Sequence, residues 1–192
     1  MRKAFSVWII IIANAGGFLF EISSQAAHVR ALVLWPLGAG FQPWQLVTYA
    51  FVHASLAHLV VNVFGIWAFG RDLEIVAGRR RLLHLYFASV LSAALTQLVV
   101  TAATGSVYPT VGASGGVFGL LLAYALVFPR RVLVFIIPPM ALPAWLFALF
   151  YAGLELALGL TGTLPGIAHF AHLGGMIGSY LVVRRWHRGM PG

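Results

Sequence analysis

The chain has 192 residues, 61% of them hydrophobic and 8% charged, with twelve Lys or Arg against four Asp or Glu. A soluble domain carries about 25% charged residues, so this chain lacks a water-facing surface, and its mean hydropathy of +0.94 is that of a polytopic membrane protein. The acids Glu21, Asp72, Glu74 and Glu155 are too few for a paired-carboxylate glycosidase, a carboxylate-rich cation site or an H-E-x-x-H zinc protease, and zero cysteines removes disulfides, thiolate metal sites and cysteine nucleophiles.

Taken in order, the apolar runs predict six membrane-spanning helices at about 4–21, 51–69, 82–103, 114–128, 135–158 and 167–183, in one all-α domain over 1–192. At the first run, Arg2-Lys3 and Ala13-Asn14-Ala15 imitate a secretory leader. The apolar stretch continues through Gly16-Gly17-Phe18-Leu19-Phe20 without a polar cleavage region, so it is expected to remain as the first helix. A long first loop follows, from 22 to about 50, carrying Trp35-Pro36, Gly38, Gly40 and Pro43-Trp44. Tryptophan at this density fits a loop resting in the headgroup interface, and ordinary loop packing accounts for it equally well. Pro138-Pro139 and Pro143 interrupt the fifth run, so that helix is expected to start late or to be kinked.

The charge then acquires a direction. Eleven of the twelve basic residues fall on one side of these spans: Arg2, Lys3, Arg71, Arg79, Arg80, Arg81, Arg130, Arg131, Arg184, Arg185 and Arg188. Only Arg30 lies on the other side. This positive-inside pattern predicts that both termini are cytoplasmic, and it makes the net charge of +8 a sign of topology rather than of nucleic-acid binding.

Polar groups inside the spans are functional candidates by default. Counting up from the basic residues at about 1.5 Å per residue puts Ser114 near 24 Å, His58 near 20 Å, His172 near 18 Å and Asn62 near 14 Å above the inner face. Three different helices thus bring polar side chains to a common layer. In Gly112-Ala113-Ser114-Gly115, Pro109 and the glycine before the serine favour a non-helical approach. Ser114 therefore sits at or near a helix N-terminus, whose free N–H groups can bind an oxyanion. A lone G-x-S-G is also common at close helix contacts, and Gly115-x-x-x-Gly119 supports that reading too. His58 and Asn62, at i and i+4, share one helix face and are both donors suited to an oxyanion; alone, they would read first as an interhelical clamp. In Ala171-His172-Leu173-Gly174-Gly175, the pairs Gly174/Gly178 and Gly175/Ser179 make a small face on which another helix can approach His172. His169 is expected to be structural or loop-facing, and His53 to make a structural hydrogen bond. Glu21 and Glu155 are placed near external helix ends, able to approach this layer but in no motif with His172, and Asp72 and Glu74 lie with the basic residues. The arrangement predicts a serine–histidine dyad without a third acid.

With these residues in place, the chain resembles the rhomboid intramembrane serine proteases in their bacterial six-helix form. The resemblance rests on His58-x-x-x-Asn62, Gly112-x-Ser114-Gly115 and Ala171-His172-x-x-Gly175 occurring in this order on spans two, four and six, with Glu74-x-x-x-Gly78 in support. Two departures stand out: Trp44-Gln45 where the family has Trp-Arg, and Phe118 where it frequently has Tyr. The resemblance implies a multi-pass protein of the bacterial inner membrane. In it Ser114 is the nucleophile, His172 the general base, and His58, Asn62 and the Ser114 N–H the oxyanion hole, with Phe118 packed on the histidine. It implies transmembrane protein substrates entering sideways from the lipid bilayer near spans two and five, with no cofactor and no metal. Two other classes stay open: a rhomboid-fold pseudoprotease that binds membrane proteins without cleaving them, and a haem or metal carrier using His58, His169 and His172. Substrate identity and oligomeric state are not written in the sequence.

Overall fold

In the computed structural model, which describes residues 4–135, 140–163 and 166–188, the apolar runs fold as helices. Their order is α1 (Phe5–Ser23), α2 (Ala26–Arg30), α3 (Gln45–Thr48), a 3₁₀ turn (Tyr49–Phe51), α4 (Leu56–Ala77), α5 (Arg79–Thr104), α6 (Ser114–Val127), strands β1 (Val132–Phe135) and β2 (Met140–Pro143), α7 (Ala144–Thr161) and α8 (His169–Arg188). α1, α5 and α7 are each long and apolar enough to cross a bilayer, and Gln45–Phe51 with α4, bent by 102°, counts as a fourth if the pair is one span. The burial pattern is that of a membrane protein. Large apolar side chains such as Ile12, Val61, Val99 and Leu160 face outward, while Ser6, Asn14, Ser89, Thr101 and Ser179 are buried.

Two predicted spans are corrected. The second begins at Leu56 rather than 51, because Ser55 caps it by accepting from His58 N–H at 3.1 Å, and it runs on to Ala77. Gly78, at φ +85°, alone separates α4 from α5, so Arg71 lies within α4 and Arg79, Arg80 and Arg81 form the first turn of α5. The fifth span begins at Ala144 rather than 135. Val132–Phe135 pairs antiparallel with Met140–Pro143 as a hairpin, and α7 starts directly after Pro143, the late start that this proline predicts. Pro138 and Pro139 lie outside the described residues. Ala144 N–H donates to Arg131 carbonyl oxygen at 2.8 Å, and Arg131 pairs with Asp72, which ties the start of α7 to α4 and to the end of α6.

Buried Glu74 has a structural task. Its two oxygens accept from Ser6 and Val7 N–H at 2.8 and 2.9 Å, satisfying donors that the first turn of α1 cannot satisfy within the helix. Elsewhere glycine sets the spacing. A Cβ on Gly175 of α8 would overlap the Gly115 carbonyl of α6, and one on Gly178 would lie 2.6 Å from the Ala88 carbonyl of α5. Ser179 Oγ donates to Gly119 carbonyl oxygen at 2.6 Å across the same α6–α8 contact. The small face read from the sequence is therefore double: Gly175/Ser179 meets α6 and Gly174/Gly178 meets α5. α7 lies outside this seam and borders an open apolar groove of about 680 Å³ lined by Leu126, Trp145, Leu149, Met176 and Tyr180 among others.

Candidate active site

The chain reaches Ser114 through a segment held on both sides. Leu34 and Thr110 exchange backbone hydrogen bonds at 3.0 and 2.9 Å, and Gly112 N–H donates to Tyr49 carbonyl oxygen at 2.9 Å. Tyr49, itself buried, donates its hydroxyl to the Val90 carbonyl of α5 at 2.8 Å. Gly112 has φ +111°, where a side chain is strained, and a Cβ there would sit 2.7 Å from His58 Nε2 and 3.7 Å from Asn62 Nδ2. The missing side chain thus leaves a small hollow beside Ser114, faced by two nitrogens from α4. Asn62 Nδ2 is buried with no hydrogen-bond partner among the described residues, a donor waiting for an acceptor. α6 begins at Ser114, directly after this hollow, and its first N–H groups have no side-chain cap.

α8 supplies the partner for the serine. His172 Nε2 lies 2.8 Å from Ser114 Oγ, brought there by the glycine contact of Gly175 with Gly115. Phe118, one turn into α6, stacks on the imidazole with centroids 4.3 Å apart and an interplanar angle of 3°. The ring alone therefore does the stacking, without the hydroxyl that the family's frequent Tyr would add. His172, Asn62 and the hollow at Gly112 are buried, while Ser114 and His58 are half-buried. A serine hydroxyl sharing its proton with an imidazole, beside a cluster of unfilled N–H donors, has the parts for nucleophilic attack on a carbonyl and for holding the charge that follows.

Sequence reasoning missed one group here. Glu155 lies in the last two turns of α7, buried, with Oε2 2.9 Å from His172 Nδ1. The expectation that His172 lacks a carboxylate neighbour is therefore corrected. His169 is placed as a structural residue, as expected: its Nδ1 lies 2.6 Å from the same Oε2 and its Nε2 faces the loop after α7, 3.1 Å from the Thr163 carbonyl. The signal was present: Glu155 is an acid inside an apolar run, and His169 and His172, three apart, share a helix face. His53 is corrected too. Its backbone N–H, donating to Glu21 at 2.9 Å, makes the structural bond, and its buried ring stands edge-on to His58 at 5.2 Å.

The first loop is anchored despite its departure from Trp-Arg. Gln45 is buried and accepts from Trp35 and Gln42 N–H at 3.2 and 3.1 Å, while its own amide donates to Ala31 carbonyl oxygen at 3.3 Å. Trp44 Nε1 donates to that same carbonyl at 2.9 Å. A neutral amide thus gathers the loop, whereas Leu37 and Trp44 face outward.

Fold and cluster together define a helical integral membrane protein with a serine–histidine pair sunk between its helices. The Rhomboid domain family model matches residues 40–188, and the chain belongs to the rhomboid family. It is 28% identical over 186 residues to Rhomboid protease GluP of Bacillus subtilis, covering 93% of this chain and 34% of that protein. It is 33% identical over 165 residues to RHOMBOID-like protein 6, mitochondrial, of Arabidopsis thaliana, covering 83% and 49%. To Rhomboid-like protein 11, chloroplastic, of the same plant it is 30% identical over 189 residues, covering 94% and 65%. The chain therefore spans between a third and two thirds of the length of these relatives.

Proposed function

We propose that this protein is an intramembrane serine endopeptidase that cleaves transmembrane segments of membrane proteins. The observation that carries this reading is the 2.8 Å approach of His172 Nε2 to Ser114 Oγ beside the donor-lined hollow at Gly112. Ser114 attacks the carbonyl of an unwound substrate segment while His172 takes its proton, and the oxyanion is held by His58, Asn62 Nδ2 and the Ser114 N–H. His172 then protonates the leaving amine, and water, activated by the same ring, releases the acyl group. None of these steps needs a metal or cofactor.

Substrates enter sideways from the bilayer near α4 and α7, both of which pack on α6, the helix that begins at Ser114. All six long helices, α1 and α4 to α8, cross the membrane, and both termini face the cytoplasm of a bacterial cell, following the eleven basic residues on one side. The length and composition of α1, α5 and α7 support the count directly, and family membership supports the rest.

The test is cleavage of a model transmembrane substrate in liposomes by the wild type, Ser114→Ala and His172→Ala. Cleavage by the wild type and loss in both variants is expected. Substrate bound but uncleaved by the wild type would mark a pseudoprotease, and normal cleavage by either variant would remove the pair from the mechanism.

A further inference from the structure

We propose that Glu155 and His169 form a positioning relay behind His172: Glu155 fixes the tautomer and orientation of the base, and His169 neutralises that carboxylate within the membrane. This rests on the proposed roles of Ser114 and His172 and extends them to two residues outside the dyad. One oxygen does both jobs, for Glu155 Oε2 lies 2.6 Å from His169 Nδ1 and 2.9 Å from His172 Nδ1, and all three side chains are buried.

The protons can be placed by counting acceptors. The Thr163 carbonyl only accepts, so His169 Nε2, 3.1 Å away, carries a proton. A 2.6 Å approach of His169 Nδ1 to a carboxylate oxygen requires a second proton between them. Wherever that proton resides, the His169–Glu155 pair has no net charge, which is how an acid is tolerated at this depth in an apolar helix. To serve as a base, His172 Nε2 must accept from Ser114, so the ring's own proton sits on Nδ1, facing Oε2. Nδ1 has no well-aligned hydrogen-bond partner among the described residues, and Oε2, 2.9 Å away but off the line of a hydrogen bond, is the acceptor within reach of a small ring rotation. Phe118 thus sets the plane of the ring, and Glu155 decides which nitrogen holds the proton. The 2.6 Å approach of His169 to Glu155 suits a hydrogen bond rather than a shared ion, since two ligands on a tetrahedral zinc stand about 3.3 Å apart.

Because His169 cancels its charge, Glu155 contributes orientation more than electrostatic stabilisation. A glutamine cannot replace it. In the bridging position its oxygen accepts from His172 but confronts His169, and its nitrogen donates to His169 but forces the wrong tautomer on His172.

The experiment measures kcat, KM and thermal unfolding on a fluorogenic transmembrane substrate for the wild type, Glu155→Gln, the double variant Glu155→Leu/His169→Phe, and Ser114→Ala. In both Glu155 variants kcat is expected to fall by about 10- to 100-fold with KM within about twofold, a smaller loss than the ~10⁴ seen on amidating a triad aspartate in soluble proteases. The double variant removes the buried polar pair together and is expected to unfold at the wild-type temperature or above while remaining slow. If kcat returns to the wild-type value as stability returns, the role is structural and the relay is refuted. Wild-type kcat in Glu155→Gln refutes it as well. In either case an inactive Ser114→Ala leaves the protease reading standing, whereas Ser114→Ala cleaving like the wild type overturns that reading and the relay together.

Discussion

The seam of α5, α6 and α8 and the outlying helix α7 are built on opposite plans. In the seam, glycines bring backbones to the limit of contact: Gly175 against Gly115, Gly178 against Ala88. Ser114 and His172 ride on that seam, and their 2.8 Å separation follows from backbones that have nowhere to shift. α7 leaves an apolar groove of about 680 Å³ beside α6 and α8, and it meets the site through Glu155, against His169 and His172, and Tyr151, edge-on to Phe118. The difference teaches how a serine–histidine pair can be held between membrane helices. The serine–histidine pair is carried by helices in backbone contact, whereas α7 joins them through side chains, with Ala144, Phe147 and Ala148 in the apolar core and Glu155 against His169 and His172.

The sharpest way to break this contrast is Gly175→Val. A branched side chain against the Gly115 carbonyl is expected to abolish folding, read as loss of a cooperative unfolding transition in detergent and of all cleavage. Next in size is Asn62→Ala, which removes one donor from the hollow at Gly112. It should lower kcat by about 10²–10³-fold with little change in unfolding temperature, by analogy with oxyanion-hole donors in soluble proteases. Gln45→Ala acts away from the reacting atoms. It strands the Trp35 and Gln42 N–H groups and should cost about 1–3 kcal/mol in chemical unfolding for each donor that stays buried. Smallest is Leu149→Ala on the exposed wall of the groove, expected to change kcat by less than about threefold and stability by under about 0.5 kcal/mol. A large effect there would mean that α7 is as tightly built in as the seam.

The residues themselves explain what was legible in the sequence. His58, Asn62, Ser114 and His172 were found because polar groups in apolar helices are rare, and regular helical rise puts them in one layer. The small face of α8 was found because Gly174, Gly175, Gly178 and Ser179 declare it at four-residue spacing. The approach of Glu155 to His172 was missed because its partners lie on α8, across a loop, and helical spacing within α7 carries no information about them. The hairpin before α7 was missed because Val132–Phe135 reads equally as helix or strand, and the hydrogen bond from Ala144 to Arg131 that fixes where α7 starts is tertiary. Likewise, the pairing of Gln45 with Trp35 and Gln42 depends on a loop conformation that composition alone does not determine.

The most direct test of the central claim is fluorophosphonate labelling of the purified protein, with the modified residue located by peptide mass spectrometry. An activated hydroxyl paired with His172 predicts a single adduct on Ser114, formed in the wild type and lost in His172→Ala. Absence of labelling, an adduct on a different serine, or undiminished labelling of Ser114 in His172→Ala would contradict the account.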